Sequence, residues 1–417
     1  MLDIKKIIKH PKEVELALLK KLDKGSFNLT EIINLEMKRK HIITEMEALQ
    51  AKKNQFTKTR PSEEIILEMK NNTLAVKEKE KTLKLLSIEL NDQLASLPNL
   101  PAEDVVSGDK ENNKVIFSYS DKPEFNFKAK DHIELAENLD IIDYKRATKM
   151  SGNGFCVYKG AGAWLEWALL NFFLEYHAKN SYQMLILPLL LNEDSAFASG
   201  HLPKFKDDLY WTQDKLCLNA TAEMMLTNYH RDEIFKEGDL PLKYFAYAPS
   251  FRREAGSYRR EERGMIRGHQ FNKVEIFRFT KPENSWQAFS EMTEEIKAIM
   301  EKLDLHFQLS QLAAKDCSAA MAKTLDIEVW IPSMSIYKEV SSISNATDYQ
   351  ARRSKIRYKS ELSGKNEFVH TLNASGLATS RLIPAILEQN QQADGSVIIP
   401  KILHKYLDKN YHILKSI

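Results

Sequence analysis

Cysteine is scarce: Cys156, Cys217 and Cys317 are the whole complement of 417 residues, and no CxxC pair or Cys/His cluster occurs. That excludes a disulfide framework and a zinc site, and makes a reducing cytoplasm the expected setting. Long apolar runs are missing as well. None reaches 18 residues, and residues 1–10 alternate lysines with short apolar pairs, so neither a membrane span nor a signal peptide is expected and the chain reads as soluble. Net charge is almost absent too, at +2. A basic coat for nucleic acid is thereby excluded, and any contact with a polyanion must come from local clustering. The first hundred residues cluster mildly, with 19 Lys plus Arg against 15 Asp plus Glu.

Glycine is absent from residues 29–97, where Glu, Lys, Leu and Ile dominate and Pro61 is the single internal helix breaker before the terminal LPNLP. Ile32, Leu35, Ile42, Met46, Leu49 and Phe56 follow the alternating spacing of a heptad seam, interrupted by Arg39 and Lys53. Met69, Val76, Leu83, Leu90, Leu94 and Leu97 resume it. Residues 57–62, with Pro61, make the turn of an antiparallel helical hairpin. Arms of roughly 40 Å are too long and thin for a compact core, so the hairpin is expected to project. A dimerising coiled coil and an arm that reaches a partner both fit this pattern. LPNLP at residues 97–101 closes the second helix, and polar residues 102–121 read as a linker.

The remainder, residues 122–417, has a mixed texture. Residues 166–179 read as an amphipathic helix; residues 184–187, 243–248, 274–279 and 327–331 read as strands. Strands outnumber helices between Thr212 and Phe279, which favours a mainly antiparallel sheet flanked by helices, an α+β class.

Three constellations sit on this half. FRREAGSYRREERGMIRGHQFNKVEIF, residues 251–277, places Arg252, Arg253, Glu254, Arg267 and Glu275 in a strand, charged loop, strand pattern. Arginine suits phosphate because its planar fork donates parallel hydrogen bonds and never loses its charge; a cross-strand salt-bridge ladder is the plainer reading. NASGLATSRLIPA, residues 373–385, leads small residues through Arg381 into helical periodicity. It fits a close-approach turn before a helix, or an ordinary helix start capped by Ser375 or Thr379. Thr221-Ala222-Glu223 and Glu339-Val340-Ser341-Ser342 place carboxylates beside strands, where they could hold magnesium or an amine, or be solvated.

Together these stretches resemble the three signature motifs of class II aminoacyl-tRNA synthetases and, within that class, the seryl-tRNA synthetase family. Motif 1 is similar to the helix and strand ending at Pro188; motif 2 is the Arg252 run and motif 3 is LNASGLATSR. The opening MLDIKKI, GHLPKF at residues 200–205 and SNATDYQARR at residues 344–353 also fall where that family has them.

The resemblance implies a tRNA-binding domain over residues 1–101 and a class II catalytic domain over residues 122–417. It implies ligation of L-serine to tRNA(Ser) through a seryl-adenylate, with charging of selenocysteine tRNA as a second use. ATP is the implied co-substrate, contacted by Arg252, Arg253, Glu254, Phe271, Glu339, Val340, Ser341, Ser342 and Arg381. Arg252, Arg267 and Arg381 would stabilise the phosphates, and Glu339 and Ser342 would ligate Mg2+. Thr221, Ala222, Glu223, Arg252, Glu275 and Ser375 would form the serine pocket. The hairpin would grip tRNA, and motif 1 would make a homodimer. A carrier-protein-charging paralogue and a silent tRNA-binding relic are the competing readings. Arg259, Ser318, Ala374 and Ser380 stand where the family usually has glycine, each adding a side chain.

Overall fold

The computed structural model describes residues 1–56, 62–254 and 265–416, with no account of the side chains of residues 53–56. The expected turn at residues 57–61, the seam positions Lys53 and Phe56 as side chains, and Arg259 lie outside the described residues. The chain divides into two units, Met1–Leu100 and Pro101–Ile417. Among the described residues no helix is long and apolar enough to cross a membrane.

In the first unit, helix α1 spans Leu29–Phe56 and helix α2 spans Glu63–Ser96. Ser62 caps α2 by accepting from the Ile65 amide at 3.4 Å, and Glu63 and Glu64 face the positive end of its dipole. The two helices run antiparallel, with Lys79 of α2 meeting Glu45 of α1 at 2.6 Å. Ile42, Met46, Leu49, Met69, Val76 and Leu83 are half-buried along the seam, while Ile32, Leu35, Leu90 and Leu94 are buried at its base. Arg39, the polar interruption, is held by a buried Glu36 at 2.6 Å. Pro98 accounts for the end of α2, since the residue before a proline is pushed to extended geometry and Leu97 has φ −75° and ψ 133°.

The second unit is built on an eight-stranded sheet. Its strands are β1 Lys114–Tyr119, β2 Gln183–Met184, β3 Leu242–Phe251, β4 Gln270–Thr280, β5 Phe307–Gln311, β6 Lys323–Ile331, β7 Ile336–Thr347 and β8 His370–Ala378. The order is β1-β5-β6-β7-β8-β4-β3-β2, antiparallel throughout except β2 with β3. The helices that bear on the site are, in chain order, α3 Ala161–Lys179, α4 Ala222–Asn228, α5 Ser285–Leu303, α6 Tyr349–Ser354 and α7 Thr379–Gln389.

Three sequence expectations are corrected here. The segment read as a linker contains edge strand β1, because KVIFSY is rich in β-forming side chains and finds a partner in β5. The strand expected at residues 184–187 pairs only through Gln183–Met184. Residues 373–378 are not a turn: they complete β8, and the helix starts at Thr379 without a side-chain cap. Small side chains there serve a different close approach. A Cβ on Gly376 would lie 2.5 Å from Nε2 of His177, so the strand passes over α3 only as glycine.

Alternation on the sheet decides where the polar residues go. Val274 and Ile276 of β4 join a core with Leu169 and Phe173 of α3, Met292 and Ile296 of α5, and Ile386 of α7. Phe277 and Phe279, on the opposite face, pack with Met224 and Leu226 of α4. Lys273 and Glu275 therefore share that second face, beside α4.

Buried Glu166, 3% exposed, ties α3 to the sheet by accepting from Thr379 at 2.6 Å and Asn272 at 2.7 Å. Burial raises its pKa to about 7 against these two hydrogen bonds. Between the ordinary carboxyl range and about 7 the unfolded chain has lost this proton and the fold retains it, so stability falls as pH rises. Glu166→Gln, neutral throughout, is expected to remove about 2 kcal/mol of the stability lost between about pH 5.5 and 8. Thermal midpoints of the variant and the parent at both pH values check this.

Candidate active site

Two bulges bring the expected residues onto one face. On β7, Ser341 faces Ile327 and Glu339 faces Glu328, so Val340 is an extra residue in the pairing. Residues 339 and 342 would otherwise point to opposite faces; the bulge resets the alternation, and Ser342 Oγ comes within 3.2 Å of Glu339 Oε1. On β8, Ser375 faces Glu275 and Ala378 faces Lys273, and Leu377 between them has φ 94°. A non-glycine residue in that region stores backbone strain, and here it lies between Ser375 and the start of α7.

The resulting cavity holds about 520 Å3 and is lined by Thr221, Glu223, Arg252, Glu275, Glu339, Ser342 and Ser375 among others. A narrow extension of about 40 Å3 runs between Phe271, Arg267, Glu254, Ser380 and Arg381. Arg252 belongs to both. Its Nε donates to the Ala220 carbonyl at 3.2 Å, and its guanidinium carbon lies 5.2 Å from the Phe271 ring centre. Arg267 Nε donates to Glu254 at 2.8 Å, and Arg381 donates to the Glu339 carbonyl oxygen at 2.7 Å while its Nη1 lies 3.4 Å from that residue's carboxylate. Three guanidinium groups thus surround one slot, the arrangement that favours a polyanion with a planar group against Phe271.

The wider part has a floor of short polar side chains. Thr221 caps α4, accepting from the Glu223 amide at 3.3 Å and from Lys273 Nζ at 2.7 Å. Lys273 also pairs with Glu275 at 2.5 Å, and Asn373 donates to the other Glu275 oxygen at 3.1 Å. Burial and the neighbouring Glu275 raise the Glu223 pKa to about 7, against the pull of Lys273 and a hydrogen bond from Gln350. Two carboxylates against one ammonium leave this floor short of positive charge, which suits a ligand bearing an amine.

Not every expected residue enters the cavity. Arg253 is exposed, with its backbone amide given to the Asp208 carbonyl at 2.9 Å. Ser341 is buried and donates across to the Ser375 carbonyl at 2.5 Å, so its hydroxyl joins β7 to β8. Val340 packs into the hydrophobic core while also lining the narrow slot, whereas Ala222 is buried in the first turn of α4. Of the positions where a side chain replaces glycine, Ser318 lines the wide cavity and Ser380 the narrow slot. Ala374 faces Ile343 and Ile276 in the core, so its methyl adds packing on the side away from any ligand.

Sequence reading missed Lys273, Asn373, Asp326 and Gln350. Asp326 of β6 accepts from Ser342 Oγ at 2.5 Å. Burial and the nearby Glu339 push its carboxyl well above the usual range. Burial works in the same direction on Glu339, but Arg381 and Arg252 outweigh it and hold that carboxyl below its ordinary value. Among the described residues no group of three or more His, Cys, Asp or Glu could hold a metal alone. Two crowded carboxylates and a hydroxyl, all hard oxygens, fit a cation such as Mg2+ that completes its shell with water and ligand phosphates.

The chain as a whole is similar to known proteins. Residues 1–101 match the family model described as the seryl-tRNA synthetase N-terminal domain, and residues 204–390 match the tRNA synthetase class II core domain (G, H, P, S and T). Serine–tRNA ligase 2 of Clostridium acetobutylicum is 50% identical, with 98% of this chain and 100% of that protein covered. Serine–tRNA ligase of Chlamydia felis is 44% identical with both chains covered in full. Among solved structures, seryl-tRNA synthetase from Pyrococcus horikoshii complexed with ATP superposes with a TM-score of 0.93 at 31% identity, covering 100% of each chain. The cytoplasmic serine–tRNA ligase of Naegleria fowleri in complex with AMP gives a TM-score of 0.89 at 26% identity, covering 100% of this chain and 99% of that one. By its two domains and its full-length relatives, this chain belongs to the seryl-tRNA synthetase family of class II aminoacyl-tRNA synthetases.

Proposed function

We propose that the chain activates L-serine with ATP as seryl-adenylate and transfers the seryl group to tRNA(Ser). The observation that carries this reading is one cavity in which a slot walled by Arg252, Arg267, Arg381 and Phe271 opens onto the small polar floor of Thr221, Glu223, Lys273, Glu275 and Ser375. Adenine stacks on Phe271, Glu254 contacts its edge, and Arg267 and Arg381 hold the phosphates. Arg252 spans both substrates, meeting the α-phosphate and the serine carboxylate.

The serine carboxylate is already ionised, so an oxygen attacks the α-phosphorus directly, the new O–P bond forming as the bond to pyrophosphate breaks. No protein nucleophile or base is required, and catalysis rests on positioning and on neutralising charge. Glu339 and Ser342 would hold Mg2+, which when bound neutralises the charge that collects on the departing pyrophosphate. In the second step the 3′ hydroxyl of the terminal ribose attacks the seryl carbonyl and AMP leaves.

Glu275, buried and already fixed by Asn373, Thr221 and Lys273, accepts the substrate hydroxyl. Alanine then leaves one acceptor site of this carboxylate unfilled while its three protein donors remain, a loss of one charge-assisted hydrogen bond that discriminates by roughly 10- to 100-fold. The hairpin binds the tRNA through backbone and shape. Its presence speaks against the carrier-protein paralogue, which lacks such an arm. Selenocysteine tRNA is a further substrate if it presents the same outer shape.

Motif 1 supplies the homodimer surface. Trp164, Trp167 and Met184 are exposed, and Ile186 is 90% exposed, apolar side chains on α3, β2 and the segment just after β2 that a second copy covers. Ile186→Asp is expected to shift sedimentation from dimer toward monomer. Charging assays with tRNA(Ser) and a panel of amino acids test the activity itself: serine is esterified, and the relic reading holds if nothing is.

A further inference from the structure

Gln350 lies outside every role assigned above, yet it reaches the amino-acid floor from behind. It opens α6, is fully buried, and uses its whole side-chain amide. Its nitrogen donates to Glu223 Oε1 at 2.7 Å and to the Ser199 carbonyl at 3.0 Å. Its oxygen accepts from the Thr371 hydroxyl at 2.7 Å. Ser199 and Thr371 are themselves buried.

These partners fix which way the amide faces. A backbone carbonyl accepts and cannot donate, so the nitrogen must lie on the Ser199 side. Both of its hydrogens are then committed, one of them to Glu223. Glu223 must therefore present Oε1 as an acceptor, which holds its carboxylate in one rotamer and leaves Oε2 for a ligand.

We propose that Gln350 is a positioning residue for amino-acid binding, locking Glu223 so that its carboxylate meets the α-ammonium of serine. The ammonium is the group whose charge relieves the crowding of Glu223 against Glu275, whereas the substrate hydroxyl is served by Glu275. Without Gln350 the carboxylate loses a donor that favours its charged form, and its side chain is freed to turn from the cavity. The inference rests on the serine reading of this pocket and refines it.

The test is ATP–pyrophosphate exchange on the full-length protein, with serine and ATP titrated separately for the parent and Gln350→Leu. The KM for serine is expected to rise about 10- to 100-fold, the loss for one charge-assisted hydrogen bond, with the KM for ATP and kcat within about threefold. A non-hydrolysable seryl-sulfamoyl adenosine, titrated by calorimetry, is expected to weaken by the same factor. A 3-hydroxypropanoyl-sulfamoyl adenosine, which lacks the amine and keeps the side-chain hydroxyl, is expected to bind both proteins alike. Thr371→Val, isosteric and remote from the cavity, removes the donor to the amide oxygen and so loosens the amide without reversing it, and it carries the test if the leucine variant does not fold; its expected rise is about three- to tenfold. An unchanged serine KM in a folded variant, or equal losses for serine and ATP, overturns the assignment. A parent with no serine-dependent exchange would instead sink the pocket reading beneath it.

Discussion

Arg252→Ala is expected to lower serine-dependent ATP–pyrophosphate exchange by about a thousandfold or more, while the thermal midpoint stays close to the parent's. Removing a single preorganised donor from developing charge already costs about that much, and Arg252 serves two reactants at once. Its geometry explains why lysine is no substitute. The guanidinium carbon lies over Phe271, 5.2 Å from the ring centre, with Nε anchored on the Ala220 carbonyl at 3.2 Å. An ammonium lacks the planar fork that anchors one nitrogen on a carbonyl while aiming others in fixed directions. Arg252→Lys is therefore expected to resemble the alanine variant. Exchange kinetics, with circular dichroism melts as the control, check both.

Replacing residues 40–84 with a short glycine-rich turn between Arg39 and Leu85 is expected to leave exchange within about twofold and to reduce tRNA charging by about a hundredfold or more. The cut follows the hairpin's own register. Glu45 opposes Lys79, so Arg39 and Leu85 lie at matching heights, and the buried base of Ile32, Leu35, Leu90 and Leu94 is kept. A coiled coil that served only to dimerise would give the opposite pattern: charging and exchange would fall together, or neither would fall. Comparing kcat/KM for tRNA with the exchange rate separates the two.

Much of this architecture is legible in the amino-acid sequence itself. The heptad spacing from Ile32 to Leu94 marks two long helices because an exposed hairpin has one apolar seam and little else to satisfy. The Arg252 to Phe277 run announces itself through the contrast of apolar strands and a charged loop. Residues such as Asp326, Lys273 and Asn373 are not legible, since nothing local distinguishes them from surface polar residues. They meet only because β6, β7, β8 and β4 pair in one register and because Val340 and Leu377 each shift the alternation. Gly376 before Arg381 misleads for a similar reason: its smallness answers to His177 behind the strand, and sequence spacing carries no trace of that neighbour. The edge strand at Lys114–Tyr119 is hidden by its polar surroundings, its partner lying almost two hundred residues away.

ATP–pyrophosphate exchange by the intact protein, run in parallel with serine, threonine, alanine and glycine, bears most directly on whether this cavity is a serine-activating site. Exchange with serine alone, followed by charging of tRNA(Ser) with serine, is the expected result. No exchange with any of the four, or exchange with alanine or glycine as fast as with serine, would contradict it.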